Sequence, residues 1–179
     1  MSLTLAILLP GLLLVAIGLP LVLRHAGAIA AFKGFPRSPV AANVLFGAGS
    51  LWFLYDVWHL SSADFGDYRV LLFIAFAAIA ALAFKCVPDF LAVRGVCILV
   101  LLAASPLLMP GYMNFDHPLI YFQKAFVYLC IVFAIWLGAQ PWRMRDFLEW
   151  LFARPERTRA VGAAFAVYGI LLTVVAFTY

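Results

Sequence analysis

The sequence predicts an all-α, polytopic integral membrane protein: a bundle of six transmembrane helices and one short amphipathic helix at the membrane surface. Hydrophobic residues make up 67% of the 179 residues and charged residues 11%, whereas soluble domains average about 45–50% and 25%. The apolar residues fall into six stretches, each close to the ~20 residues that cross a bilayer. These observations exclude a soluble enzyme and a disordered chain, and we expect residues 1–179 to form a single transmembrane domain.

The six expected spans cover about residues 3–23, 41–60, 70–87, 90–109, 118–138 and 161–179. These stretches lack the strict alternation of polar and apolar residues that membrane strands show. A helix satisfies all of its backbone hydrogen-bonding groups within its own segment, so we expect helices in the lipid. The third and fourth spans are nearly continuous. Pro88 disfavours helix at Val87 and Asp89 is a good N-cap, so we predict a tight hairpin there. The alternative, one kinked helix of ~60 Å, is too long for one bilayer.

The amphipathic helix is expected at residues 142–153. Phe147, Trp150 and Leu151 recur at i, i+3 and i+4, while Arg145 and Glu149 project elsewhere. This pattern is typical of a helix that lies in the membrane interface. It is expected to serve either as a connector between the fifth and sixth spans or as a docking surface for a partner.

The positive charges predict the orientation. If the N-terminus is outside, ten of the twelve lysines and arginines fall on one side, which the positive-inside rule assigns to the cytoplasm. Both termini are then non-cytoplasmic, and we expect a bacterial cytoplasmic (inner) membrane. The pI near 9.2 reflects basic loops that are expected to contact anionic lipid headgroups at the cytoplasmic face. The basic charge therefore does not require a nucleic-acid partner, and none is expected. The ten residues are Arg24, Lys33, Arg37, Lys85, Arg94, Arg143, Arg145, Arg154, Arg157 and Arg159.

Small residues predict where helices approach closely, because they let backbones come together in lipid. We expect these faces to pack within the bundle rather than to form a dedicated dimer motif. They are Gly47, Gly49 and Ser50 on the second span, Ala77 and Ala81 on the third, and Gly162, Ala166 and Gly169 on the sixth.

Few ionisable residues fall within the spans, and such residues are the default functional candidates in a membrane. Asp56 and His59 share a face of the second span, and Lys124 lies at a similar expected depth in the fifth. We therefore expect Asp56 and Lys124 to form an ion pair, with Asp116 and His117 nearby. This outer cluster would be either a proton-active or ligand-binding site or a structural clamp between helices.

On the basic side, the candidate contacts for a partner or lipid headgroup are Arg37, Arg143, Arg145 and Trp150. Arg37 belongs to a turn-like loop, residues 33–39, and the run 87–95 that follows the third span is also distinctive. The sequence contains no nucleophile, zinc or phosphate-binding motif. We assign no catalytic residue, metal or cofactor.

The scarcity of polar groups within the spans favours a non-catalytic structural or accessory subunit of a larger membrane complex. Its expected partners are the lipid bilayer and other membrane subunits or a second copy of itself. Two alternatives remain open. One is a small transporter or proton-coupled carrier that uses Asp56, His59 and Lys124; the other is a membrane enzyme that acts on lipid or quinone.

Overall fold

The computed structural model describes residues 1–114 and 118–178, and within these the chain is helical without strands. Six of the helices are long and apolar enough to cross a membrane. The predicted all-α class is confirmed, and the chain is an integral membrane protein. The helices are α1 (Leu3–Val22), α2 (Ala26–Gly34), α3 (Pro39–Trp58), α4 (Arg69–Cys86), α5 (Leu91–Leu108), α6 (Ile120–Ala139), α7 (Trp142–Phe152) and α8 (Pro155–Ala176).

Five of the six predicted spans agree with these helices to within two residues at each end. The sixth was predicted to begin at residue 161, but α8 begins at Pro155. Proline is well suited to a first helical position, and Glu156 in the first turn complements the helix dipole. Hydropathy detects only the apolar part of this helix and misses its charged first turns. The expected end of the span at Tyr179 lies outside the described residues.

The hairpin between the third and fourth spans is confirmed, because α4 ends at Cys86 and α5 starts at Leu91. The predicted cap is wrong. Phe90, not Asp89, precedes the helix; it has a positive φ of 57° and makes no side-chain cap bond. The chain thus reverses through a left-handed residue, and the Asp89 side chain is not used to cap α5.

The first and last helices, α1 and α8, pack antiparallel over most of their length. A Cβ atom on Gly169 would lie 2.7 Å from the Gly11 carbonyl oxygen, so the backbones touch. Gly18 makes an equally close approach to Gly162 and Ala166. The small-residue face predicted on the sixth span is confirmed, and its partner is a pair of glycines seven residues apart on α1.

Helix α3 contains a π-helical turn, Ala42–Phe46, that packs against α5. A Cβ atom on Gly95 of α5 would lie 2.5 Å from the nitrogen of the last residue of this turn. One turn later, Gly49 lies against the side chain of Ile98. The small-residue patch on the second span therefore packs within the bundle through Gly49, while a Cβ atom on Gly47 would meet nothing within 4 Å.

Helix α4 lies at the edge of the bundle and buries no residue. It packs mainly on α3, through three edge-to-face aromatic pairs whose ring centroids lie 5.0–5.4 Å apart. The close approach predicted at Ala77 and Ala81 is not made at Ala81, which is exposed, whereas Ala77 is half-buried. Large rings hold α4 to the bundle instead. The pairs are Phe46–Phe84, Phe53–Phe76 and Trp58–Phe73.

The three basic connections of the chain lie together, and we call this side of the molecule the basic side. Helix α2, which the sequence did not predict, packs against α7 and places the Lys33 ammonium over the Phe152 ring. The Arg37 guanidinium lies over the ring of Phe90, in the hairpin between α4 and α5. The amphipathic helix predicted at residues 142–153 is confirmed as α7.

Candidate functional site

Asp56 and His59 lie at the end of α3, in its last turn and at its C-cap. Both are exposed. The His59 ring donates through Nδ1 to the carbonyl oxygen of Tyr55, 2.7 Å away, and its centroid lies 4.2 Å from that of the Tyr55 ring. His59 is thus held by its own helix, and its side chain has no described contact with that of Asp56.

Lys124 lies one turn into α6 and is half-buried. Its ammonium lies over the ring of Tyr121, 5.5 Å from the centroid, and its stem passes close to Gly111. The expected ion pair with Asp56 is wrong: the described residues contain no such contact. Both parent helices pack on α5 rather than forming a substantial interface with each other.

Two members of the expected outer cluster, Asp116 and His117, lie outside the described residues. The structure therefore brings none of the remaining members together through side-chain contacts. A shared function for Asp56, His59 and Lys124 stays a prediction.

Among residues 1–114 and 118–178, the two most deeply buried polar side chains are Gln123 and Thr158. Gln123 of α6 is 1% exposed, and its amide donates to the Leu107 carbonyl oxygen at the end of α5, 2.9 Å away. Thr158 of α8 is 2% exposed, and its hydroxyl donates to the Leu151 carbonyl oxygen of α7, also at 2.9 Å. The last carbonyl groups of a helix lack partners within it. Both side chains therefore join one helix to the unsatisfied end of another.

Trp150 is fixed at the junction of α7 and α8. The Arg157 guanidinium lies 4.7 Å from its ring centroid and also donates to its carbonyl oxygen. The Trp150 ring stacks beside that of Phe147, and both are exposed, while Leu148 and Leu151 are buried. The apolar arc of α7 is therefore divided between an inner leucine pair and an outer aromatic pair.

The charged side of α7 is internally paired. Arg145 bonds to Asp146 at 2.7 Å and reaches Glu149 at 3.8 Å. The hydrogen bond to Asp146 raises the pKa of Arg145, which keeps its charge. Arg143 donates to the Gln140 side chain and lies over the ring of Trp136.

Arg37 lines a cleft of about 350 Å³ on the basic side, between the 33–39 loop and the α4–α5 hairpin. Ser38, Asn43 and Asp89 also line it, and Phe84 contributes to its apolar wall. We call it the Arg37–Asp89 cleft. The sequence marked both of its walls as distinctive segments but gave no sign that they meet.

Within residues 1–114 and 118–178, no three histidine, cysteine or acidic side chains come together as metal ligands. The three cysteines are free, with Cys86 exposed and Cys97 buried. Comparison with family models, curated proteins and solved structures finds no match to the chain. The geometry of the chain itself is thus the basis for assigning a function.

Proposed function

We propose that the chain is a non-catalytic structural or accessory subunit of a larger membrane assembly. The observation that supports this most is the use of its buried polar groups. Gln123 and Thr158 both donate to backbone carbonyl groups of neighbouring helices, which is a structural use. Polar groups of carriers and membrane enzymes usually converge on a cavity or on one another. Asp56 and Lys124 instead lie apart near the ends of their helices.

Helix α4 is the surface on which we expect a helix of another subunit to pack. It buries no residue of its own and packs mainly on α3. Ala78 is exposed on it, and small residues permit the close approach that associates helices in lipid. A subunit helix seated here would cover the exposed face of α4, which packs mainly on α3.

The same proposal places the basic side in the cytoplasm of a bacterial cell, with both termini on the other side of the cytoplasmic membrane. The positive-inside rule supports this orientation. The contacts of Lys33 with Phe152 and of Arg37 with Phe90 also support it, because they gather the basic connections on one side.

A matched pair of variants tests the subunit proposal. Ala78→Trp adds a large ring to the outer face of α4, and Ala125→Trp adds the same ring to an exposed position of α6. Tagged chains are isolated in mild detergent from their own membranes, and the membrane proteins recovered with them are quantified.

We expect one membrane subunit, or a second copy of the chain, at a fixed ratio with the wild type and Ala125→Trp. Recovery should fall about tenfold with Ala78→Trp, which corresponds to ~1.4 kcal/mol. Absence of any chain at a fixed ratio from the wild type would contradict the proposal. Equal recovery with both variants would remove α4 as the contact surface.

A further inference from the structure

The Arg37–Asp89 cleft is lined by two opposite charges that form no ion pair with each other. The ion pairs of the described residues are those of Arg145 with Asp146 and Glu149. Arg37 is therefore unpaired, and its guanidinium is held over the Phe90 ring at 5.6 Å. Asp89 is likewise unpaired and does not serve as the α5 cap. A cation and an anion that share one cleft without pairing suit a ligand that carries both charges.

Two neutral polar side chains, Ser38 and Asn43, also line the cleft. The Ser38 hydroxyl oxygen accepts from the Ala41 backbone nitrogen at 3.2 Å, so its own hydrogen remains able to donate. Asn43, an exposed residue of the π-helical turn, offers an amide to the same cleft. The volume of about 350 Å³ is within the ~300–1,000 Å³ range of small-ligand sites.

The position of the cleft favours a ligand at the membrane boundary. Its wall includes Ala42, three residues into the second span, and Phe84, two residues before α4 ends. At ~1.5 Å per residue, both lie within about 5 Å of the helix ends. The charged part of the cleft thus faces the headgroup layer, while its apolar part adjoins the hydrocarbon.

We propose that the Arg37–Asp89 cleft binds the zwitterionic headgroup of an aminophospholipid, namely phosphatidylethanolamine. The Arg37 guanidinium contacts the phosphate, which a planar fork of N–H donors recognises well. The Asp89 carboxylate accepts from the primary ammonium. Phosphatidylcholine has no N–H to donate, and phosphatidylglycerol presents no cation to Asp89, so both bind less well. This binding requires no second subunit and stands apart from the proposed function.

Native mass spectrometry on the full chain in detergent tests the site with an equimolar mixture of the three lipids. We expect the wild type to retain phosphatidylethanolamine about tenfold more than the other two, as one charge-assisted hydrogen bond implies. Asp89→Asn should remove the preference over phosphatidylcholine, and Arg37→Gln should lower the retention of every lipid. Arg159→Gln, a change at an exposed position on the same side outside the cleft, should leave the pattern unchanged.

A second measurement uses the wild type alone and so does not depend on how the variants fold. Retention of mono- and dimethylated phosphatidylethanolamine should fall stepwise as N–H groups are lost. Equal retention of phosphatidylglycerol, or a preference that survives Asp89→Asn, would overturn the proposal. If soluble glycerophosphoethanolamine displaces the lipid when both are at the same concentration, the ligand of the cleft is a free phosphoethanolamine compound. That result would overturn the proposal that the ligand is a membrane lipid.

Discussion

Gly18 of α1 lies so close to Gly162 of α8 that a Cβ atom on Gly18 would stand 2.7 Å from the Gly162 carbonyl oxygen. The same contact repeats one heptad away between Gly11 and Gly169. These glycines bring the first and last spans of the chain into backbone contact. In lipid, where the hydrophobic effect does not drive helices together, such close packing is a main source of association.

Gly18→Val should therefore destabilise the protein by about 1–3 kcal/mol, as overpacking does in a well-filled interface. The measurement is thermal or detergent-induced unfolding in lipid-detergent micelles. Gly47→Ala is the control, because a Cβ atom there meets nothing within 4 Å. It should be neutral or stabilise the helix by up to ~1 kcal/mol. Unfolding of Gly18→Val at the wild-type midpoint would refute the close packing of α1 and α8.

Gln123→Leu should cost about 1 kcal/mol, the size of an interhelical hydrogen bond in a membrane protein. The change removes the donor to Leu107 and leaves a carbonyl group without its partner between α5 and α6. Unfolding free energies are compared with those of Tyr128→Phe, an exposed polar-to-apolar change on the same helix. If Gln123→Leu unfolds no more easily than the control, the hydrogen bond does not hold these helices together.

Thr158→Val should loosen the junction of α7 and α8. Valine keeps the shape of the side chain but removes the hydroxyl that bonds to Leu151. Hydrogen exchange should become faster in the last turn of α7 while α1 is unchanged. Thr178→Val, at the exposed end beyond α8, is the control and should leave α7 protected. Unchanged exchange in α7 would show that another contact fixes the junction.

Cysteine labelling in intact cells tests the proposed orientation. Cys86 is exposed at the end of α4 on the basic side, whereas Cys97 is buried. We expect Cys86 to react with a membrane-permeant maleimide but not with an impermeant one. In a Cys86→Ser background, a cysteine introduced by Ser62→Cys at the opposite end of α4 should react with the impermeant reagent. The reverse pattern would invert the topology.

Hydropathy and spacing were enough to predict the all-α class, the hairpin and the amphipathic helix, because each depends on local sequence. The start of α8 was misplaced since Pro155 and Glu156 favour helix without being apolar. Helix α2 was missed because residues 26–34 are mostly small and carry no clear amphipathic period. Its visible signal is His25, whose ring accepts the Ala28 backbone N–H as an N-cap.

The sequence did not predict which helices lie next to each other in the bundle. Equal depth suggested that Asp56 and Lys124 meet, but depth does not determine which helices are adjacent, and both helices pack on α5. The π-helical turn of α3 has no local signal and is seen only beside Gly95 of its neighbour. For the same reason, the sequence singled out the segments around Arg37 and Asp89 without joining them in one cleft.

The molar mass of the particle extracted from its own membrane with its surrounding lipid is the most direct test of the subunit role. The tagged wild-type chain is isolated in polymer-bounded native nanodiscs, and the mass of the protein part is measured. We expect a discrete mass well above that of one 19.7 kDa chain, with a fixed ratio of subunits. A particle that contains a single copy of this chain and no other protein would contradict the account.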